Sequence, residues 1–552
     1  MMLGPDAGIL GARRRRVPAG RPGTPDLIGW LLRTNRQFAA DAALWRVDAF
    51  AAAFSAGRRS EPVSASTVSR WETAVIAPSH AVVRRYESLL GLRMNQLVAP
   101  IDAILRYSAV PTSGPPMLRR SVPDEDAAEA RLEVLLDLAV TDALMSGNDW
   151  DEMTSLLALQ PRVVLVPRSN WAVVVNRLVQ EMTLSDGAFW MQRFEALNRM
   201  LVHPRAQVAA IDACAALARD TDNQVFTEVI GALDGANHPD ASAHVLRQLR
   251  EPVNEPARYG ALLATVRKVR FRHFAPDQVN TLIRAEFDLL RDPDVRDDAR
   301  ELARELLRHT PPDVRNALRG QFRSVWSDVD RPDAMGRFDA LAHGSAGVVT
   351  DRIVRATQAA MPRDAAEYAD DMLPHIVYHL LFHPVFDVRL YAAFLINATP
   401  YRPAVAAALA AEIAGSRILR DLGFTRSILE AFRALGGPDQ RRLVERLIVA
   451  PGLPRSITVA AAAAIGHVGG RTSDAAWTQV LRVVIPPPGQ WNAATGTTLN
   501  SLIYGAGITH ADAALRQIRS SHEVPASYRA SAAWWLALPA HIRDSALDPA
   551  HR

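Results

Sequence analysis

The sequence predicts an all-α protein: a small N-terminal helical bundle followed by a C-terminal α-solenoid of stacked helix pairs. Three observations lead there. Apolar residues recur at helical spacing in stretches of roughly 12–20 residues, punctuated by Pro, Gly and Asp, and no stretch alternates convincingly as a strand. At 552 residues the chain is too long for one compact core. A loose motif also recurs, in which a proline-containing turn leads into a helix rich in small residues. Its clearest copies lie at Pro204, Pro293 and Pro384, which are 89 and 91 residues apart.

Composition narrows the function classes. Hydrophobic residues at 49% and charged residues at 22% are ordinary for a globular protein. The longest apolar run, 457–466, is about half the length of a membrane span, so no membrane partner is expected. The basic cluster before residue 17 is followed by no apolar core, so it does not read as a secretory signal, and a cytoplasmic protein is expected. Cys214 is the sole cysteine, which rules out an intrachain disulfide and a multi-cysteine zinc site. Residues 1–100 hold 14 Arg and 7 acidic residues, a net of +7; the whole chain carries +4, leaving −3 on residues 101–552. Positive charge gathered in one terminal segment is the footprint of nucleic-acid binding.

Taken in order, residues 1–24 form a basic arm with the run Arg13-Arg14-Arg15-Arg16 and no apolar periodicity. A solvated tail and an arm on phosphates both fit it. A first helix spans 25–36, with Thr24 at its cap and Pro25 in its first position. A second helical stretch carries Phe38, Ala42, Trp45, Phe50 and Phe54 and ends near Gly57. Next comes V-S-A-S-T-V-S-R-W-E at 63–72. Ser64 is placed to cap it, Val68 and Trp71 mark its inward face, and Ala65, Ser66 and Ser69 are small enough for close approach to base edges. Arg70 adds a long donor fork. A fourth helix spans 79–90 and is closed by Gly91.

Residues 25–98 resemble the XRE-type, lambda-repressor-like helix-turn-helix family, through S-A-S-T-V-S-R-W-E at 64–72, Pro78, and V-V-R-R-Y-E-S-L-L-G-L at 82–92. The resemblance implies a helix-turn-helix domain at 25–100, a recognition helix in the major groove of double-stranded DNA, and a homodimer on a two-fold operator. It places Ser64, Ala65, Ser66, Thr67 and Ser69 near bases or phosphates and Arg70 near a base or the backbone. Arg58, Arg59, Arg84 and Arg85 are expected to neutralise phosphates. Two departures stand out. The segments around 37–46 and 57–61 are long for the family, and Thr73-Ala74 replaces the glycine usual after the recognition helix.

Residues 101–123 are rich in Pro and Ser and are expected to be a linker. A helix with an acidic first turn (Asp124, Glu125, Asp126) begins at Asp124, and the array is expected to fill 124–545. Its motifs, among them L-L-F-H-P-V-F-D-V-R-L-Y-A-A-F-L-I at 380–396, resemble HEAT-like repeats over 150–540. The proline spacing implies a unit of about 45 residues; an irregular all-helical domain is the competing architecture.

No constellation carries catalysis. His375, His379 and His383 follow one another at four-residue spacing, but the third lies about 12 Å along the axis from the first, too far to share a metal. Gly466, Gly469 and Gly470 lack the Lys-Ser/Thr of a phosphate loop. Cys214 sits among small residues, as in a core, and Trp534-Trp535 suits the cap of the last repeat. Neither cofactor, metal nor enzymatic activity is expected. The expected function is sequence-specific transcriptional regulation on the nucleoid, with the array holding a protein partner, a small-molecule effector or a second copy. The alternatives are a helical-repeat scaffold with secondary DNA binding and a HEAT-like DNA glycosylase; the net −3 of residues 101–552 speaks against the latter.

Overall fold

Five helices open the chain: α1 (Thr24–Gln37), α2 (Val47–Ser55), α3 (Ala65–Glu72), α4 (His80–Leu89) and α5 (Val98–Ser108). The structure, a computed structural model, describes residues 22–56, 62–108, 118, 120, 124–292, 295, 297–309, 312, 316, 320, 345–362, 370–414, 421–487 and 489–547. Among these residues there are 27 α-helices and no strand.

Local chemistry explains the bundle. Pro25 lies in the first turn of α1, where its missing N–H costs nothing; Gly23, one residue earlier than expected, is the cap, and its amide donates to Asp26 at 2.8 Å. The second helical stretch breaks in two. Asp41 accepts the Ala43 amide at 2.9 Å and starts a separate 3-10 turn, Ala42–Trp45, before α2. Ser64 caps α3, accepting the Thr67 amide at 3.1 Å. Gly91 closes α4 with a φ of +63°.

The inward side of α3 carries Val68, Trp71 and Glu72. Trp71 packs against Phe54 and Tyr86. Glu72 receives two hydrogen bonds from Arg36 of α1, at 2.6 and 2.8 Å, and one from the Tyr86 hydroxyl of α4 at 3.2 Å. A buried charge persists only when paired this completely, so the triad sets how α3 sits against its neighbours. Beyond α3, Ala74 takes a φ of +61°, so the turn after the helix enters the left-handed region without a glycine. Gly29 of α1 is pressed against this turn, where a Cβ would come within 2.8 Å of the Glu72 carbonyl oxygen.

The first half of the array comprises α6 (Glu125–Ala139), α7 (Gly147–Leu159), α8 (Asn170–Leu184), α9 (Gly187–Val202), α10 (Gln207–Leu217), α11 (Phe226–Gly231), α12 (Pro239–Arg250), α13 (Glu255–Arg270), α14 (Pro276–Arg291) and α15 (Asp297–His309). The second half comprises α16 (Ala346–Ala359), α17 (Leu373–Phe382), α18 (Phe386–Asn397), α19 (Arg402–Ala414), α20 (Leu422–Leu435), α21 (Pro438–Val449), α22 (Arg455–Ile465) and α23 (Asp474–Val484). It ends with α24 (Ala493–Ile508), α25 (Asp512–Ser520), α26 (Ala526–Ala537) and α27 (Ala540–Ala546).

Alternate helices stack on one another in two layers: α7, α9, α11, α13 and α15 inside in the first half, and α18, α20, α22, α24 and α26 inside in the second. This is a solenoid, but its unit is shorter than the proline spacing implies. The inner helices of the second half begin at 386, 422, 455, 493 and 526, 33–38 residues apart. The spacing misleads because the turns are out of register: Pro204 leads into the outer α10, Pro384 into the inner α18, and Pro293 lies outside the described residues.

The halves curl until their inner layers face each other. At one end Arg267 of α13 pairs with Asp387 of α18 at 2.6 Å. At the other, α27 packs on α8, and Arg193 of α9 donates to the Ser545 carbonyl at 2.6 Å. The bundle is docked on this ring. Trp30 donates its indole N–H to Asp370 at 2.9 Å, and Asn35 donates to the Ala398 carbonyl at 3.0 Å.

The expected linker is corrected in part. Residues 101–108 belong to α5, packed between α9 and α18, because Ile101, Ala103 and Ile104 form an apolar stripe that needs cover. Leu118 and Arg120 are anchored too, donating to Asp102 at 2.8 Å each. Residues 1–21, 109–117 and 121–123 lie outside the described residues, and with them nearly all of the basic arm.

Candidate nucleic-acid interface and central cavity

On α3, Ser64, Ser66, Ser69 and Arg70 are exposed, whereas Ala65 and Thr67 are half-buried. Helical spacing of three and four residues brings Ser66, Ser69, Arg70 and Thr73 onto one outward stripe. The Ser64 hydroxyl is occupied with capping and lies 3.0 Å from the Thr67 hydroxyl. The Arg70 carbonyl accepts the Val75 and Ile76 amides at 2.9 and 3.1 Å, which pins the end of the helix while the guanidinium stays in solvent. The result is a short helix, roughly 12 Å long, with small hydroxyls and one long cation on its outer face and a fixed inner face.

The flanking arginines divide. Arg58 and Arg59 lie outside the described residues. Arg84 and Arg85 hold the bundle together, a role different from the phosphate contacts expected of them. Arg84 pairs with Glu87, whose carboxylate accepts the amides of Leu97, Asn95 and Val98 at 2.7, 3.0 and 3.1 Å and so caps the start of α5. Burial pushes the Glu87 carboxyl up, opposed by those amides and by Arg84. Arg85 donates to the carbonyls of Ala53, Ala56 and Phe54 at 2.9, 3.0 and 3.3 Å, closing the end of α2. Helix ends leave backbone groups that need partners, and α4 supplies them.

The remaining sequence candidates are plainly placed. The rings of His375 and His379 lie 4.0 Å apart and those of His379 and His383 5.0 Å apart, in a row along α17. Among the described residues no group of three or more His, Cys, Asp or Glu is arranged to hold a metal ion. Cys214 is fully buried, and burial pushes its thiol up to about 12. Trp534 donates to Asp220 at 3.1 Å, so this pair helps to close the ring. Among the described residues no helix is long and apolar enough to cross a membrane.

A second site was not legible in the sequence. Between the facing inner layers lies a cavity of about 390 Å³, bounded by α9, α11 and α13 on one side, α18, α20 and α24 on the other, and the Arg106 end of α5. One wall is aromatic: Trp190 stacks on Phe194 with centroids 4.6 Å apart, and Phe394 lies 6.0 Å from Trp190. The cations on the wall are held by acids. Arg106 pairs with Glu195 at 3.1 Å, and Arg267 with Asp387 and Asp234 at 2.6 and 2.9 Å. At the rim, Arg433 lies 3.0 Å from His467 Nε2, and His467 Nδ1 lies 2.9 Å from Asp186. An arginine can only donate, so Nε2 accepts and the His467 proton sits on Nδ1. The sequence signal was faint: aromatic pairs at helical spacing, Trp190 with Phe194 and Tyr391 with Phe394, on helices that also carry arginine.

Cavity and bundle share α5. Behind Arg106, Asp102 pairs with Arg120 at 2.8 Å and with Arg199 at 3.0 Å, and Arg199 pairs with Asp151 at 2.6 Å. This buried chain of charges joins the bundle to α7 and α9.

No family model matches the chain, and no curated protein matches it. A solved structure, the crystal structure of a Kap121p mutant, is similar at 12% identity with a TM-score of 0.19, over 90% of this chain and 47% of that chain. This chain thus spans about half the length of that structure.

Proposed function

We propose that this helical-repeat protein is a sequence-specific DNA-binding regulator that reads double-stranded DNA through α3, with the array as its rigid mount. One observation carries the reading: Ser66, Ser69 and Arg70 form an exposed stripe, while Val68, Trp71 and Glu72 are buried and hold the helix in place. A guanidinium that reaches a guanine edge in two hydrogen bonds contributes roughly 1–3 kcal/mol of discrimination. The serines add shorter contacts to bases or phosphates. One such helix is a modest reader, so a second copy of the chain on a two-fold site supplies the rest.

The test selects preferred sites from genomic fragments with purified protein, then measures affinity by fluorescence anisotropy. Arg70→Ala combined with Ser66→Ala should weaken the selected site at least tenfold, about 1.4 kcal/mol, and leave melting unchanged, because neither side chain is packed. Unaltered affinity would remove α3 as the reader.

A second reading, a protein-binding scaffold, draws on the depth at which the bundle is docked. Trp30 on Asp370 and Asn35 on Ala398 make the bundle part of the ring. A stoichiometric protein partner together with no selected DNA site would favour it.

A further inference from the structure

We infer that the central cavity is a binding site for an organic amine: a cationic nitrogen on a compact aromatic or apolar body. Three features lead to that class. The first is size. About 390 Å³ falls in the range of small-molecule sites and suits a body of one or two fused rings. The cavity reaches solvent beside Arg433, which is exposed.

The second is the wall. Trp190, Phe194, Tyr391 and Phe394 present ring surface from two facing helices. Aromatic faces carry negative potential and attract a desolvated cation, while they also cover an apolar body. The buried Trp190 indole N–H has no acceptor among the described residues, and the Tyr391 and Tyr504 hydroxyls make no hydrogen bond there. These groups are available to a polar substituent.

The third is charge. Five acidic residues and four arginines line the cavity. Arg106 and Arg267 are neutralised by the acids described above, and Arg389 lies 3.4 Å from Glu301 and 3.8 Å from Glu430. Arg433 donates to a neutral His467 at the rim. Glu228 is different. It lines the cavity, is half-buried, and its carboxylate has no hydrogen-bond or ion-pair partner among the described residues. It lies close enough to Tyr504 that its charge, after burial, holds that phenol above its ordinary range. An unpaired carboxylate beside aromatic faces is the complement of an ammonium group. An anionic ligand would meet Glu228 in the interior, and the one lining arginine without a carboxylate partner among the described residues, Arg433, stands at the exposed rim.

The inference does not depend on DNA binding, and its test uses the full chain without DNA. Three probes share one indole body: tryptamine (cation), tryptophol (neutral) and indole-3-acetate (anion), each titrated calorimetrically at pH 7. Tryptamine should bind at one site per chain, about tenfold tighter than tryptophol, with indole-3-acetate weakest. Glu228→Gln keeps the shape and breaks no contact, so it should fold normally. It should bring tryptamine to within about twofold of tryptophol. The inference is overturned if tryptamine binds no tighter than tryptophol, if Glu228→Gln leaves that preference intact, or if none of the three binds.

Discussion

Glu286 offers the most exacting test of the array's packing. It lies on α14, which packs between α12 and α15; it is fully buried, and neither carboxylate oxygen has a hydrogen-bond partner among the described residues. Burial alone pushes its carboxyl from 4.5 up to about 8. Between those values the folded chain keeps a proton that the unfolded chain has released. The contribution of Glu286 to folding stability is therefore level below pH 4.5, falls as pH rises towards 8, and is level again above it. At about 1.4 kcal/mol per pH unit, the loss between pH 5 and pH 8 comes to about 3 kcal/mol. Glu286→Met fills the same space among Leu282, Ile283 and Phe287 without the titration. The assay is thermal melting by circular dichroism at pH 5 and pH 8. The variant should gain little at pH 5 and about 3 kcal/mol more at pH 8. An advantage that is the same at both pH values would show that Glu286 finds a partner or water in the folded chain, and the reasoning would fail.

Two further outcomes follow from the bundle. Ala74→Gly should raise stability by roughly 0.5–1 kcal/mol, because glycine takes the positive φ without the clash that alanine suffers; a lower melting midpoint would sink this account of the turn. Asp102→Asn should cost about 3 kcal/mol by breaking buried pairs with Arg199 and Arg120. It should also speed amide exchange along α5, and unchanged protection of α5 would mean that these charges do not hold the bundle to the ring.

Contacts within a few residues were legible. The cap at Ser64, the inward Val68 and Trp71, the exposed Arg70 and the turn at Gly91 each follow from side-chain chemistry at helical spacing, which acts over one or two turns. The all-helical class follows from the same periodicity repeated along the chain. The repeat length was misjudged because proline turns mark helix starts without saying which layer the helix joins.

The cavity, the docking of the bundle and the true role of α5 could not be read this way. Trp30 meets Asp370 across 340 residues, and Arg193 meets Ser545 across 352. Arg85 looked like a surface cation because nothing local claims it, and only the packed bundle shows that the end of α2 does; Arg84 has a local partner in Glu87, and the fold adds that this carboxylate caps the start of α5. By itself, then, the sequence determined the helical class, the caps and turns at Ser64 and Gly91, and the apolar face of the helices it recognised, because those properties depend on neighbours three and four positions away, whereas α5 and the break before α2 emerged only in the structure. The tertiary structure decided which charges are paired, which arginines remain for a partner, and that two inner layers close on a chamber. Those outcomes depend on groups hundreds of residues apart, brought together only when the solenoid curls back on itself.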